Sequence, residues 1–185
     1  MAVIAAYPFD VGYAPSTEDA HVAAADATPH ASLAGFGIDT ETLFMQSTAL
    51  NAAEAVSENQ YATLAITADA GYELDLSSLT FGICRGGTSK VRGYLVRCSV
   101  DSYASNLIGG DLSTTYTWPT FYNANVDLTG APFQNLAAIT FRIYTYCDSG
   151  TAYTLHWVDF TVNGTVAATG GGTPGRIMRL NRRMW

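Results

Sequence analysis

Leu155-His-Trp-Val-Asp-Phe-Thr-Val-Asn-Gly164 decides the fold class. His156, Val158, Phe160 and Val162 alternate with Trp157, Asp159 and Thr161, and Asn163-Gly164 closes the run as a turn. Apolar and polar residues at period two, rich in aromatic and β-branched types, describe a half-buried strand. Three more segments repeat the pattern. Leu79, Phe81 and Ile83 alternate with Thr80 and Gly82; Tyr94, Val96, Cys98 and Val100 with Leu95, Arg97 and Ser99; Ile139, Phe141 and Ile143 with Thr140, Arg142 and Tyr144.

Shorter strands are expected at Val3–Phe9, His21–Ala25, Leu43–Ser47, Tyr61–Ala68, Tyr72–Leu76 and Tyr122–Asp127. Turn signals separate them at Asp69-Ala-Gly71, Arg85-Gly-Gly87, Gly109-Gly110, Thr129-Gly130 and Asp148-Ser-Gly150. Only Thr48–Glu58 is rich in helix formers, and one short helix is expected there. About nine strands at this spacing imply an all-β fold, two antiparallel sheets packed face to face as a jelly-roll sandwich. The 185 residues suit one domain over 1–168, a glycine-rich linker over 169–175 and a tail over 176–185.

The formal charge of −7 is unevenly spread. All sixteen acidic residues precede Gly170 and only five basic ones do, a net of −11 for the body; Arg176, Arg179, Arg182 and Arg183 give the tail +4. An acidic body argues against nucleic acid as a partner, since phosphate neutralisation needs a basic face. Charged residues are only 14% of the chain, below the roughly one quarter usual for soluble domains, and Tyr, Thr, Ser, Gly and Ala fill their place. Cys84, Cys98 and Cys147 lie in apolar runs with no metal-ligand spacing and are expected as buried free thiols. The N-terminus has no basic region and its apolar stretch ends at Pro8, so no export signal is expected; no run is long enough for a membrane span.

Catalytic groups are sparse. His21, His30 and His156 have no ligand spacing to one another, Ser99, Ser102 and Ser105 lack a nucleophile-elbow context, and the carboxylates are scattered singly through turns. The expectation is a protein that binds or assembles, with no catalytic residue.

Four stretches stand in order between about Asn59 and Gly164: Gly71-Tyr-Glu-Leu-Asp-Leu-Ser-Ser-Leu-Thr-Phe81, Val96-Arg-Cys-Ser-Val-Asp-Ser-Tyr-Ala-Ser105, Phe133-Gln-Asn-Leu-Ala-Ala-Ile-Thr-Phe-Arg-Ile-Tyr144 and Leu155–Gly164. On these the chain resembles a jelly-roll module common in exported bacterial proteins of the PEP-CTERM type, modules that look like carbohydrate-binding or laminin-G-like sandwiches. Ala6-Tyr-Pro-Phe-Asp10 is similar to the family's first strand. The resemblance speaks for the fold, and a sandwich hosts many roles. Departures from the family are expected: no export signal and no sorting segment are read from the sequence, and Val158 stands before Asp159 where the closing strand usually bears two acidic residues. If the first and last strands pair, Asp10 and Asp159 would meet and could hold a structural calcium ion.

Aromatic residues are the richest signal. Tyr116-Thr-Trp-Pro-Thr-Phe-Tyr122 places four rings in a loop without charge. Tyr116, Trp118 and Tyr122 would stack on a sugar, or pack across a sandwich end or a subunit contact. Alternation puts Arg142, Tyr144, Tyr146 and Trp157 opposite the Phe141/Ile143 face, where a concave sheet would meet a glycan or a neighbour. In the tail, Arg176, Ile177, Met178, Arg179, Leu180, Arg182, Arg183, Met184 and Trp185 alternate basic and apolar groups that should not stay in water without a partner.

Two readings follow. The first is a virion structural protein, a phage decoration, head-fibre or tail accessory subunit. It would be made in the host cytoplasm, fastened by its tail to other virion subunits or to itself, and expected as a homo-oligomer. The second is a secreted or surface carbohydrate-binding module with an extracellular glycan as its partner.

Overall fold

A computed structural model describes residues 2–149 and 153–169, so the tail and all but the first residue of the linker lie outside the described residues. Among the described residues, thirteen strands and one α-helix follow in chain order: β1 (Ala2–Tyr7), β2 (Thr17–Glu18), β3 (Val22–Ala24), β4 (Thr28–Pro29), β5 (Gly35–Asp39), β6 (Thr42–Ser47), α1 (Ala52–Ser57), β7 (Tyr61–Ala68), β8 (Tyr72–Arg85), β9 (Arg92–Cys98), β10 (Ile108–Asp111), β11 (Tyr122–Asp127), β12 (Ala138–Cys147) and β13 (Tyr153–Ala168). No described helix is long and apolar enough to cross a membrane.

The strands form two antiparallel sheets. The first runs β11-β8-β13-β1-β2, with β6 also on β13 and β5 on β6; the second runs β10-β9-β12-β7-β3, with β4 also on β7. This is the expected all-β sandwich. Strand β13 is its spine, because its sixteen residues pair with β8 along one edge and with β6 and then β1 along the other.

Two bulges set which side chains reach the core. Between Val158 and Thr161, β13 carries one more residue than β8, and Asp159 takes a left-handed φ of 51° there. The extra residue shifts the strand's phase. Leu155 and Trp157 point into the core before it and Phe160 and Val162 after it. The uninterrupted alternation expected from the sequence put Trp157 on the outer face; the bulge overturns that, and Trp157 is fully buried. A compensating bulge lies in β8, where Asn163 faces Ser78 and Gly164 faces Leu76, leaving Ser77 unmatched. The two strands expected at Tyr72–Leu76 and Leu79–Ile83 are therefore one. Nor does β13 end at Asn163-Gly164: a Cβ on Gly164 would sit 2.2 Å from the Asp75 carbonyl oxygen and 3.0 Å from Leu76 Cα, so glycine lets the backbones close up and the strand runs on to Ala168.

The core joins both sheets through rings. Phe160 packs edge-on to Phe141 at 5.7 Å, Phe81 lies 5.2 Å from Trp157, and Tyr94 meets Trp157 edge-on at 5.6 Å. Burying each such side chain contributes roughly 1.5–3 kcal/mol. Cys84, Cys98 and Cys147 are buried free thiols, and burial pushes the Cys84 thiol up to about 12.

Outside the second sheet, α1 closes a smaller cluster. Asn51 caps it by accepting from the Glu54 amide at 3.0 Å, while Glu54 reaches back to the Leu50 amide at 2.8 Å. Ala49 and Ala55 then press on Tyr61, Leu95, Tyr144 and Tyr146. Tyr144 and Tyr146 do lie opposite the Phe141/Ile143 face, but the helix buries them, and they form no open binding surface. Gly109-Gly110, read as a turn, lies within the edge strand β10, paired with Leu95 and Tyr94.

Gly164→Ala places a methyl against backbone and should lower the unfolding free energy by about 1–3 kcal/mol, read as a lower urea midpoint. An unchanged midpoint would mean that β8 and β13 do not approach closely at this point.

Candidate functional site

The aromatic loop between β10 and β11 is pinned to the end of β8 by backbone. Arg85 N–H donates to the Tyr116 carbonyl at 2.8 Å, and Trp118 N–H to the Arg85 carbonyl at 2.9 Å. The buried Arg85 guanidinium ties the same region together, donating to the carbonyls of Leu112, Thr88, Ser89 and Lys90. The Trp118–Pro119 peptide is cis.

The loop's rings part in two directions. Tyr116 and Tyr122 turn toward the gap between the sheet edges, 5.3 Å apart and edge-on, and with Tyr94 line a cavity of about 280 Å³. Trp118 turns the other way, onto the outer face of the first sheet. It lies 5.7 Å from Phe121 and 5.1 Å from His156, and it is 36% exposed. The three candidate rings of this loop therefore serve two places.

Beside Trp118 runs an open groove. One stretch, of about 580 Å³, is lined by Trp118, Phe121, Asn123, Val158, Asp159 and the acidic end formed by Asp10 and Glu41. A second, of about 330 Å³, continues from Asn123 and Asp159 to Thr80, Gly82 and Asn125. The floor is low because Gly82 has no side chain: a Cβ there would meet Val158 Cγ2 at 2.6 Å and come within 3.5 Å of Phe121. Left-handed backbone gathers at the acidic end, at Phe9, Thr40, Glu41 and Asp159, with φ between 49° and 62°. Such conformations cost of order 1–3 kcal/mol each and concentrate at functional sites.

Pairing of β1 with β13, Tyr7 opposite Phe160, brings Asp10 and Asp159 to one cleft, where both side chains are exposed. Among the described residues, no three His, Cys, Asp or Glu side chains group to hold a metal. A calcium ion at Asp10 and Asp159 would need carbonyl or water oxygens for the rest of its coordination.

His156 buttresses Trp118 from beneath. Thr42 Oγ1 donates to the Asp39 carbonyl at 2.7 Å, so its bond of 2.8 Å to His156 Nδ1 is accepted from the imidazole N–H. Burial holds the imidazole below its ordinary pKa, with Asp39 pulling the other way and Arg92 adding to the depression.

Of the other sequence candidates, Arg142 lies on the outer face of the second sheet with Tyr144 and Tyr146, remote from the groove, and the tail from Arg176 to Trp185 lies outside the described residues. Phe121, Glu41, Asn123 and Asn125 were not expected in a site. The signal for the two amides was present: in Tyr122-Asn-Ala-Asn-Val-Asp127 they alternate with the inward Ala124 and Val126.

No protein-family model and no curated protein matches the chain. Among solved structures, the K3 cleaved adhesin domain of Lys-gingipain from Porphyromonas gingivalis W83 is 16% identical, with a TM-score of 0.45 over 88% of this chain and 100% of that one. A family 29 carbohydrate-binding module from Piromyces equi is 6% identical, with a TM-score of 0.44 over 88% and 89%. The N-terminal cellulose-binding domain of a Cellulomonas fimi β-1,4-glucanase is 13% identical, with a TM-score of 0.43 over 90% and 99%. At these identities and scores, the assignment of a ligand rests on the chain's own residues.

With the His156 pKa lowered on folding, the unfolded chain takes up a proton first as pH falls. The stability held by neutral His156 is complete above about 6.5 and declines as pH drops toward the lower folded value. His156→Gln should flatten the fall of the melting temperature between pH 7 and pH 5. Equal slopes in the two proteins would remove His156 from the account.

Proposed function

We propose that the groove beside Trp118 binds an uncharged saccharide chain, and that the protein is a carbohydrate-binding module acting at a glycan surface without catalysis. The observation that carries this reading is the half-exposed Trp118 ring standing at the wall of an open groove floored by Gly82 and Val158. An indole face offers apolar surface to the C–H face of a pyranose, and Phe121 extends the wall. Hydroxyl groups need both donors and acceptors: Asn123 and Asn125 supply both, and the carboxylates of Asp10, Glu41 and Asp159 accept. Those carboxylates also select against anionic sugars by repulsion. A groove open along its length suits a point within a chain rather than a buried terminal sugar.

This favours the second of the two readings from the sequence. The virion reading depends on the tail over 176–185, which lies outside the described residues, and nothing in the groove bears on it.

Trp118→Ala should weaken binding to neutral oligosaccharides such as glucans, mannans or xylans by about tenfold or more, equivalent to about 1.4 kcal/mol. The melting temperature should change little, because the ring is already half in solvent. Titration calorimetry of both proteins measures this. Retained affinity in the variant would take the groove out of the binding reaction.

A further inference from the structure

The outer face of the second sheet has the opposite chemistry. Arg97 on β9 and Arg142 on β12 lie directly across from each other, a like-charge pairing that costs stability unless something offsets it. Neither meets a carboxylate among the described residues. Asp101, on the turn that packs against β12, instead accepts from the amides of Ala104 and Ser105 at 3.2 and 2.8 Å.

Arg97 is occupied. Its Nε donates to Asn106 Oδ1 at 2.7 Å and its Nη1 to the Tyr103 carbonyl at 2.9 Å. These bonds hold the turn that carries Tyr103, whose ring covers Arg142 at 3.7 Å from guanidinium carbon to ring centroid. Tyr61 lies 4.4 Å from the same guanidinium. Arg142 is thus fixed by two aromatic rings, yet it makes no hydrogen bond within the described residues, and its Nε is buried without a partner. An arginine has five N–H donors in a planar fork, and buried polar groups without partners are rare. The buried Nε is closed to a ligand, but the two Nη groups are vacant and not buried, and they are the open end of a planar fork that receives a two-oxygen anion.

We infer that Arg142, framed by Tyr61, Tyr103 and Arg97, is a second binding site, for the carboxylate of an acidic saccharide. The surroundings favour a sugar over an acidic peptide. Strand addition of an acidic peptide is closed here, because β12 is paired along both edges, with β7 and β9, so its backbone groups are taken. What the face offers is rings and a hydroxyl oxygen that can accept: Thr63 stands directly opposite Arg142 on β7 and donates its own proton to the Thr28 carbonyl at 3.2 Å. This site is independent of the groove and does not rest on its reading. It gives the module a neutral-sugar face and an acidic-sugar face on opposite sheets.

The test is calorimetric titration of the full chain with oligogalacturonate, with its methyl-esterified form and with poly-glutamate. The wild type should bind the free acid in preference to the ester. Arg142→Gln should lose that binding by about tenfold or more, and Arg142→Lys, which keeps the charge and stem but not the fork, should lose much of it. Trp118→Ala should leave it unchanged. No binding of the free acid by wild type, equal affinity for acid and ester, or wild-type affinity in Arg142→Lys would each overturn the proposal. Preference for poly-glutamate would overturn it in favour of a peptide. Failure of the groove reading shows separately, as neutral-glycan binding that survives Trp118→Ala.

Discussion

The structure turns on one extra residue in β13. A strand sixteen residues long that kept perfect alternation would put Trp157 and Phe160 on opposite faces, and one of the two rings would then leave the core. The bulge at Asp159 lets both rings enter the same layer, where Trp157 meets Phe81 and Tyr94, and Phe160 meets Phe141. The same shift turns His156 and Val158 outward and leaves Asp159 in a left-handed conformation at the groove. Core and groove thus share one origin. Asp tolerates positive φ better than most residues because its short side chain hydrogen-bonds locally, which suits it to this position.

The two outer faces diverge in chemistry because they are covered differently. On the first sheet no element of the described residues lies over Gly82, Val158 and Asn123, so the aromatic loop stands at the edge of an open channel. On the second, a helix of only six residues, held by the Asn51–Glu54 cap, shields Tyr144 and Tyr146. Among the described residues, none of its side chains packs on the part of the face where Arg142 is clamped between tyrosines. Three carboxylates at the groove, Asp10, Glu41 and Asp159, and two neighbouring arginines on the opposite face are suited to discriminate ligands by charge.

Much of the sheet pattern was legible in the sequence. Tyr61–Ala68 and Tyr122–Asp127 are strands with the limits that alternation implies, and the short helix falls within Thr48–Glu58. The failures have specific causes. A bulge leaves no signature in a period-two pattern beyond a phase break, so alternation alone implies an unbroken β13 with Trp157 facing outward. The mirror case is β8, where Ser77-Ser78 interrupted the phase and one strand read as two. Gly109-Gly110 carries a turn composition but lies in an edge strand, where pairing with β9 outweighs propensity. The burial of Tyr144 and Tyr146 depends on where α1 docks, a long-range contact that local pattern cannot contain. For the groove, Trp118 and the meeting of Asp10 with Asp159 were legible, whereas Glu41 enters only because the β5–β6 hairpin reaches the same cleft.

The central claim is that the groove on the first sheet is where the saccharide sits. Amide chemical-shift mapping during titration with a neutral oligosaccharide tests it most directly. The account predicts that the largest shifts fall on Gly82, Asn123, Asn125 and Asp159, together with the Trp118 indole N–H. Shifts confined to the Tyr94, Tyr116 and Tyr122 cavity, or to the Arg142 face, would contradict it.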